Sequence, residues 1–244
     1  MLRFLFVPAL ALAFAAHLAA QEFSTVTASQ KHFTVCRVNL ATQSLDLFLR
    51  DESGTPFKSF DALEHWLRSH GRKLTFAMNA GMYERDFSPV GLFVEGGKEL
   101  NPLNLKKGSG NFFLQPNGVF AITRAGARIV ESPAYPSVQE STSLATQSGP
   151  MLVTDGHINP AFNPDSQSLL FRNGVCVISS RQVVFVISAE PVSFYEFARL
   201  FRDELHCKNA LFLDGTISSL YAPGLKRDDR KIDLGPIIAT TEAL

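Results

Sequence analysis

Leu211-Phe-Leu-Asp-Gly-Thr-Ile-Ser-Ser219 is the segment around which the chain is organised, because an apolar run ends there in an acidic residue, a glycine and small polar residues. A helix is predicted just before it, since Ser193 and Glu196 match a capping box and apolar residues recur at helical spacing up to Leu205. The apolar run is then a short strand with Asp214 at its carboxyl end. Ligands often bind at such strand ends in sheets flanked by helices, so Asp214 is the first candidate site residue.

The segment from Phe60 to Gly81 repeats the order of the segment from Phe194 to Gly215. Each has an amphipathic helix, a short turn, an apolar strand, a polar residue and a small residue. If the two units lie side by side in one sheet, Asn79 and Asp214 meet at adjacent strand ends. The likeness is one of pattern, without further sequence identity between the two segments.

Alternating apolar and polar residues predict several strand pairs outside these two units. Residues 33–50 have the pattern of an opening hairpin, and residues 111–123 have that of a second hairpin with Asn-Gly at its turn. Residues 169–178 and 183–188 predict a third pair, whereas 131–147, rich in Ser, Thr and Pro, predict an irregular connection. We therefore predict an α+β fold with a mixed, mostly antiparallel β-sheet core. Two principal helices pack against it, in a single domain over residues 21–244.

Residues 1–20 have the features of a secretory signal peptide. Arg3 supplies a positive charge, residues 4–16 are an almost unbroken apolar run, and Ala19 and Ala20 precede a plausible cleavage point. The alternative, an uncleaved membrane anchor, is disfavoured because the run is shorter than the roughly 20 residues that a spanning helix needs. We therefore expect an exported protein, periplasmic or extracellular, with no stable membrane insertion after signal cleavage.

The charge balance of the chain argues against a nucleic-acid partner. Lys plus Arg and Asp plus Glu each number 23, so the net charge is zero, and no basic stripe interleaved with aromatic residues occurs. Hydrophobic residues make up 45% of the chain and charged residues 19%, which is typical of a sequence that can bury a sizeable core.

Cys36, Cys176 and Cys207 allow at most one internal disulfide. Export favours such a bridge, but all three cysteines have apolar neighbours and are equally compatible with buried thiols, so the pairing stays open. No Cys-x-x-Cys or Cys/His cluster indicates zinc, and the histidines are scattered without metal-ligand spacing. We predict no metal site and no cofactor.

Four clusters combine glycine, a hydrogen-bonding side chain and an adjoining apolar strand. They are Asn79-Ala-Gly, Gln147-Ser-Gly-Pro, Arg172-Asn-Gly and Asp214-Gly-Thr-Ile-Ser. Each alone is also ordinary turn chemistry. Together they offer a guanidinium group, backbone amides exposed by glycine and a carboxylate, which suit a substrate that carries a phosphate.

The chain resembles the phosphodiester glycosidase family in motifs that follow one another over residues 33–240. These are Asn79-Ala-Gly-Met-Tyr, Pro89-Val-Gly-Leu, Gln147-Ser-Gly-Pro-Met-Leu, Arg172-Asn-Gly-Val and Leu213-Asp-Gly-Thr-Ile-Ser-Ser. The family includes an enzyme that removes N-acetylglucosamine from a sugar phosphodiester, and many exported bacterial relatives. Relatives commonly have Asp-Gly-Gly-x-Ser, whereas Thr216 stands at the second glycine here and adds a side chain where the backbone would approach a ligand.

The resemblance implies a hydrolase that cleaves between a sugar anomeric carbon and a phosphate oxygen, releasing free sugar and a phosphomonoester. Its substrate would be a glycosyl phosphodiester or an envelope glycopolymer. Arg172 would hold the phosphate, Asp214 would act as general base or nucleophile, and Asn79 would position the substrate. The residues implied in substrate binding are Ser148, Gly149, Gly215, Ser218, Gly81 and Asp86.

Each assignment has a structural alternative. Asp214 and Asn79 could each satisfy a turn, and Arg172 could pair with Asp86 or Glu95. Glu84, Asp86 and Glu95 are candidates for a second carboxylate, of which two are expected to be structural. For the whole protein, the alternatives are a non-catalytic carbohydrate- or phosphate-binding module and a metal-dependent phosphodiesterase. The absence of His/Asp ligand clusters from the sequence weakens the last.

Overall fold

The structure, a computed structural model, describes residues 21–230 and 232–244, so the predicted signal peptide lies outside the described residues. The helices are α1 (Phe60–Ser69) and α2 (Phe194–Arg199), and a π-helical turn at Leu200–Glu204 continues α2. No helix in this described part of the chain has the length and apolar character of a bilayer-spanning segment. The strands are β1 (Glu22–Ala28), β2 (Lys31–Asn39), β3 (Ser44–Phe48), β4 (Arg72–Asn79), β5 (Phe93–Glu95), β6 (Lys98–Asn101), β7 (Gly118–Thr123), β8 (Gly126–Glu131), β9 (Thr142–Ser148), β10 (Met151–Thr154), β11 (His157–Ile158), β12 (Asn173–Ser179), β13 (Gln182–Ser188), β14 (Ala210–Phe212), β15 (Leu220–Ala222), β16 (Arg227–Asp228) and β17 (Ile237–Ala243).

The strands form three sheets. The seven-stranded sheet has the order β1-β2-β13-β12-β14-β10-β11, the β4 sheet has the order β16-β15-β4-β17-β3, and the β9 sheet has the order β6-β5-β9-β7-β8. Every named strand pair among the described residues is antiparallel. The predicted α+β fold with mostly antiparallel strands and two helices is confirmed at this level. Three sheets stand where one core sheet was expected, and no parallel pair occurs in the part described.

The main hydrophobic core lies where the three sheets face one another. It contains Phe185 of the seven-stranded sheet, Phe76 of the β4 sheet and Phe120 of the β9 sheet, all fully buried. The ring centroid of Phe185 lies 5.2 Å from that of Phe76 and 6.0 Å from that of Phe120, within the range of favourable aromatic contacts. Side chains from all three sheets therefore pack in this one core.

Helix α1 covers the outer face of the β4 sheet. Its buried Leu63 and Leu67 pack in one cluster with Leu74 of β4. The side chain of Ser59 accepts a hydrogen bond from the Ala62 amide at 3.2 Å, which satisfies one of the unpaired donors at the helix start. The predicted helix and its serine cap are confirmed.

Helix α2 covers the outer face of the seven-stranded sheet. The Ser193 hydroxyl accepts from the Glu196 amide at 3.1 Å, and the Glu196 carboxylate accepts from the Ser193 amide at 2.8 Å. This reciprocal pair is the predicted capping box. Phe197 on the buried face of α2 packs in one cluster with Phe212 of β14, so the helix fixes the strand that leads to Asp214.

Two predicted hairpins are wrong in their pairing. β2 pairs with β1 and β13, whereas β3 pairs with β17, so the strands of the expected opening hairpin lie in different sheets. Asn111–Phe113 forms a 3-10 turn, and β7 pairs with β8 and β9. Residues 131–147 were expected to form an irregular connection, but their last part belongs to β9, the central strand of its sheet. An alternating pattern marks a strand with one buried face without specifying its neighbour.

A disulfide joins Cys176 of β12 to Cys207, which follows the π-helical turn. Cys36 is a buried free thiol. The bridge connects the seven-stranded sheet to the end of the helical segment that covers it, across a sequence separation of 31 residues. It resolves the pairing that the sequence left open.

We expect loss of the Cys176–Cys207 bridge to lower the free energy of unfolding by about 3 kcal/mol, because the cross-link restricts the unfolded chain. Urea unfolding of the Cys176→Ala/Cys207→Ala variant measures the effect, with Cys36→Ala as the control for loss of a buried sulfur. Reduction of the wild-type protein should reproduce the shift of the double variant. Equal unfolding midpoints for oxidised and reduced wild type would contradict the prediction.

Candidate functional site

A buried hydrogen-bond network joins Asn79, Asn173 and Asp214 at the ends of β4, β12 and β14. The Asn173 Nδ2 donates to the backbone oxygen of Asn79 at 3.0 Å and to its Oδ1 at 2.9 Å. The Asn173 Oδ1 accepts from the Asp214 amide at 3.0 Å. The Asn79 Nδ2 donates to the Asp214 carbonyl at 3.4 Å, and its Oδ1 accepts from the Ser219 amide at 2.9 Å.

This network confirms that Asn79 and Asp214 come together, although not in the way that their similar segments suggested. β4 belongs to the β4 sheet and β14 to the seven-stranded sheet, so the two units do not lie side by side in one sheet. They meet because the two sheets share the main core and Asn173 bridges their ends. Asn79 and Asn173 are both fully buried. Buried amides of this kind need all their partners, so the network holds the 214–219 loop in one place.

The Asp214 carboxylate lies in a partly desolvated position. Burial raises its pKa from 3.8 to about 6, and the backbone amides of Thr216 and Gly215, which favour the charged form, offset part of that effect. Tyr83 lies close enough that burial first and the Asp214 charge second raise the pKa of its phenol. A carboxylate with a pKa near neutral is suited to accept a proton during a reaction.

The loop that carries Asp214 turns back on itself. The Ser218 hydroxyl donates to the Asp214 carbonyl at 3.0 Å, and the Ser218 amide donates to the Gly215 carbonyl at 3.1 Å. Gly215 is buried, and a Cβ atom there would lie 2.9 Å from the Phe171 carbonyl. The Thr216 side chain is exposed. The residue that departs from the common family motif therefore lies at the surface, in the wall of a cavity beside this loop.

Arg172 packs on the α2 side of the seven-stranded sheet and lies outside the amide network. Its guanidinium lies 3.6 Å from the centroid of the Phe194 ring, with Nε donating to the Val192 carbonyl at 2.8 Å and Nη2 to the Ser168 carbonyl at 3.2 Å. Nη1 is buried without a hydrogen-bond partner among the described residues. Burial lowers its pKa from 12.5 to about 10, so it stays charged at neutral pH.

The structural alternative for Arg172, a salt bridge with Asp86 or Glu95, is wrong. Neither Asp86 nor Glu95 forms a salt bridge with it, and residues 21–230 and 232–244 place no other carboxylate within 4.0 Å of its guanidinium. Stacking on Phe194 and two backbone carbonyls hold the group instead.

The family model described as "Phosphodiester glycosidase" matches residues 72–233 of the chain. The chain belongs to the phosphodiester glycosidase family. The resemblance inferred from the motifs around Asn79, Arg172 and Asp214 is thereby confirmed.

Other proteins are similar to this family member over most of its length. It is 36% identical over 187 residues to the uncharacterized protein YigE of Escherichia coli strain K12, covering 77% of this chain and 73% of that protein. Its fold is similar to the zebrafish N-acetylglucosamine-1-phosphodiester alpha-N-acetylglucosaminidase catalytic domain, auto-inhibited by its pro-peptide, with a TM-score of 0.61 and 13% identity over 90% of this chain and 81% of that one. A hypothetical protein from Synechocystis gives a TM-score of 0.52 at 16% identity, over 91% of this chain and 61% of that one. At these identities the two structures show a shared fold alone.

Three other predicted binding residues of this family member serve close backbone packing. The Ser148 hydroxyl is buried and donates to the Leu213 carbonyl at 2.6 Å, which ties the end of β9 to the residue before Asp214. A Cβ atom at Gly149 would lie 2.7 Å from the Phe112 carbonyl, and one at Gly81 would lie 2.5 Å from the Thr146 hydroxyl. These glycines allow backbone segments to approach each other closely, and the Ser148 hydroxyl holds the residue that precedes Asp214.

The candidate second carboxylates lie apart from the amide network in this family member. Asp86 is exposed, and its carboxylate accepts from the Ser88 amide at 3.0 Å and from its hydroxyl at 2.5 Å, which is turn chemistry. Glu84 is exposed as well. Glu95 at the end of β5 is partly buried, and burial first and Asp46 second raise its pKa from 4.5 to about 7.

We expect Glu95 to make stability depend on pH. Its raised pKa means that the native state binds the proton more tightly than the unfolded state, so stability falls as pH rises between 4.5 and about 7. Glu95→Gln removes this titration. Its free energy of unfolding relative to that of wild type should therefore rise by about 2 kcal/mol when the pH is raised from about 5 to about 8. Urea unfolding at both pH values measures the gain, with Glu84→Gln as the exposed control. A difference between Glu95→Gln and wild type that does not change with pH would contradict the prediction.

Two contributors to the site were missed as candidates by sequence reasoning. Asn173 is part of the quoted Arg172-Asn-Gly cluster, but the functional role was assigned to its charged neighbour Arg172. Tyr83 ends the quoted Asn79-Ala-Gly-Met-Tyr motif, and the pKa of its phenol is raised first by burial and then by the charge of Asp214. Both were visible as motif members, and only the fold shows where their side chains lie.

Proposed function

We propose that this protein is an exported hydrolase that cleaves the bond between a sugar anomeric carbon and phosphate in a glycosyl phosphodiester. The products are free sugar and a phosphomonoester. The observation that carries the proposal is the Asp214 carboxylate, whose pKa of about 6 and fixed position at the junction of two sheets suit a base in a chain of this family. An envelope glycopolymer with such linkages is a substrate of the same class.

The proposed reaction uses Asp214 to activate a water molecule. The carboxylate accepts a proton as the water oxygen bonds to the anomeric carbon, and the carbon–oxygen bond to phosphate breaks with its electron pair on the phosphate oxygen. A phosphomonoester carries about −1.5 to −2 charge at neutral pH, so it leaves without a strong general acid. Direct attack by the carboxylate is the retaining version of the same chemistry.

Arg172 is proposed to hold the phosphate through Nη1, the guanidinium nitrogen that has no partner among the described residues. Its guanidinium lies 5.7 Å from the ring centroid of Phe212, which precedes Asp214 by two residues in the chain. Nη1 is covered in this structure, and binding would require local movement of the segment at Ser168. Stacking on Phe194 and two carbonyl bonds would keep the group oriented.

We expect Arg172→Met to weaken inhibition by inorganic phosphate by about tenfold or more, because charge-assisted bonds to phosphate are lost. Inhibition constants for wild type and variant measure this directly, and urea unfolding reports the separate effect on the fold. Arg202→Met, at a half-buried arginine paired with Asp203, is the matched control. An unchanged inhibition constant in folded Arg172→Met would limit this arginine to a structural role.

Export is supported by the sequence features of residues 1–20 and is compatible with the Cys176–Cys207 bridge, since disulfides persist in oxidising compartments. Localisation is tested by cell fractionation of the full chain, comparing the sizes of the precursor and exported forms. Retention of the unprocessed chain inside the cell would contradict the proposal.

The deciding experiment is hydrolysis of an α-glycosyl phosphodiester in water labelled with heavy oxygen. The proposed carbon–oxygen cleavage releases reducing sugar and phosphomonoester in equal amounts, with the label in the sugar. Label in the phosphate would indicate cleavage of a phosphorus–oxygen bond, which is a phosphodiesterase reaction. Saturable binding of the diester without product would instead favour the non-catalytic carbohydrate- or phosphate-binding module.

A further inference from the structure

A cavity of about 330 Å³ opens beside the loop that carries Asp214. Gly215 and Ser218 of that loop form one wall, and the apolar side chains of Leu170, Phe171 and Ile232 form another. The volume lies within the range of pockets that take small organic ligands. Because the Ser218 hydroxyl is bonded to the Asp214 carbonyl, the cavity and the candidate base share one structural element.

Four of the five polar side chains in the cavity wall form hydrogen bonds within the protein, and the exposed Thr216 is the fifth. The Arg227 guanidinium donates to the Asp229 carboxylate at 3.0 and 2.8 Å, and the same carboxylate oxygen accepts from the Leu220 amide at 3.0 Å. The Ser218 and Ser219 hydroxyls donate to backbone carbonyls of their own loop. A sugar hydroxyl would have to compete with these internal bonds for several of the same groups, whereas a hydrocarbon would not.

The apolar side chains of the same cavity are unusually open to solvent. Leu170 is 45% exposed, Phe171 50% and Ile232 47%, although each is a large hydrophobic residue. Several such residues grouped around one opening indicate a surface that a ligand covers. Covering the exposed half of one of these side chains is worth about 3- to 10-fold in affinity.

The apolar wall is held against the loop by a close backbone contact. A Cβ atom at Gly215 would lie 2.9 Å from the Phe171 carbonyl, so the absence of a side chain there lets the two segments meet. The backbone of Leu170 is in turn bonded to Val192 at the start of the α2 segment, through both its amide and its carbonyl. The wall is therefore a preformed part of the fold.

We propose that this cavity binds an apolar aglycone, a hydrocarbon or aromatic group esterified to the phosphate of the glycosyl phosphodiester. The inference rests on the proposed function, because it places the leaving group of that reaction beside Asp214. The three half-exposed apolar side chains favour a hydrocarbon as occupant, because four of the five polar side chains already form bonds within the protein. The substrate class is thus a sugar linked through phosphate to an apolar alcohol.

The test compares the methyl and hexyl esters of α-N-acetylglucosaminyl phosphate. We expect kcat/KM for the hexyl ester to exceed that for the methyl ester by about tenfold in wild type, since the added carbons are buried in the cavity. Phe171→Ala and Ile232→Ala should each reduce this ratio by about 3- to 10-fold. Leu105→Ala, at a leucine that is 59% exposed and outside the cavity wall, is the control and should leave the ratio unchanged.

The outcomes separate this inference from the proposed function. Equal rates for the two esters in wild type, or equal losses on both esters in Phe171→Ala, would overturn the apolar aglycone while leaving hydrolysis intact. If neither ester is hydrolysed, the proposed function fails, and calorimetric binding of hexyl phosphate and methyl phosphate still tests the cavity. Tighter binding of hexyl phosphate that Phe171→Ala abolishes supports the site, whereas equal binding of both phosphates overturns it.

Discussion

Asp214→Asn is expected to lower kcat by about 10³-fold on a glycosyl phosphodiester, because the amide cannot accept the proton from water. In wild type, kcat/KM should rise with pH and level off above about 6, the pKa to which burial raises the Asp214 carboxylate. This acid limb should be absent from the residual activity of the variant. Release of reducing sugar, followed over a range of pH values, measures both effects.

The control for this substitution is Asp165→Asn, because Asp165 is an exposed carboxylate in the loop after β11. It should retain the wild-type rate and the wild-type pH profile. If Asp214→Asn is folded and turns over substrate at the wild-type rate, Asp214 has no part in the chemistry. An unchanged acid limb in the variant would assign that titration to another group.

The same substitution should stabilise the fold at neutral pH. Asp214 binds its proton more tightly in the native state, since its pKa is raised from 3.8 to about 6, so wild-type stability falls as pH rises through that window. Asp214→Asn does not titrate, and its free energy of unfolding relative to wild type should rise by about 2 kcal/mol across the window. Lost activity combined with raised stability would mark Asp214 as a residue kept for function.

Asn173→Ala is expected to be the most destabilising single change at the site, by about 3 kcal/mol. It removes the donor to Asn79 and the acceptor for the Asp214 amide, which leaves buried polar groups without partners. The 214–219 loop would also lose its anchor, so kcat should fall along with stability. Urea unfolding and turnover of the same preparation measure the two effects.

Asn173→Asp separates hydrogen bonding from side-chain size. It keeps the shape of the residue but places an acceptor against the Asn79 oxygens, so it should destabilise the fold as strongly as alanine does. Asn163→Ala, at an exposed asparagine that caps its own turn, is the matched control and should have a small effect. A loss below about 1 kcal/mol in Asn173→Ala would show that the network is dispensable.

Local features of the fold could be predicted because their causes are local. Ser59 and the Ser193–Glu196 box cap their helices by bonding amides only a few residues away. The pair β12–β13 was predictable because a short turn joins two apolar strands. Each of these needs only a segment of a few residues, and a sequence pattern contains all of that segment.

Strand pairing over longer distances could not be predicted in the same way. The pattern of β2 and β3 shows that each buries one face, which is equally true in one sheet or in two. Their partners, β13 and β17, lie far along the chain, and the shared aromatic core selects them. Asn79 and Asp214 come together as expected. They do so at the junction of two sheets, where the side-chain amide of Asn173 bridges them.

The amino-acid sequence was sufficient to predict the family, the two capped helices and the importance of the segment from Leu211 to Ser219. The packing of the chain added that Asn173 anchors this segment, that Arg172 stacks on Phe194, and that a cavity opens beside the loop that carries Asp214. These features could not be predicted because the burial and the hydrogen-bond partners of a side chain depend on how distant segments pack together. From the sequence alone, Asp214 could be an ordinary turn residue that follows an apolar strand. Its burial in the folded chain raises the pKa of its carboxylate to about 6.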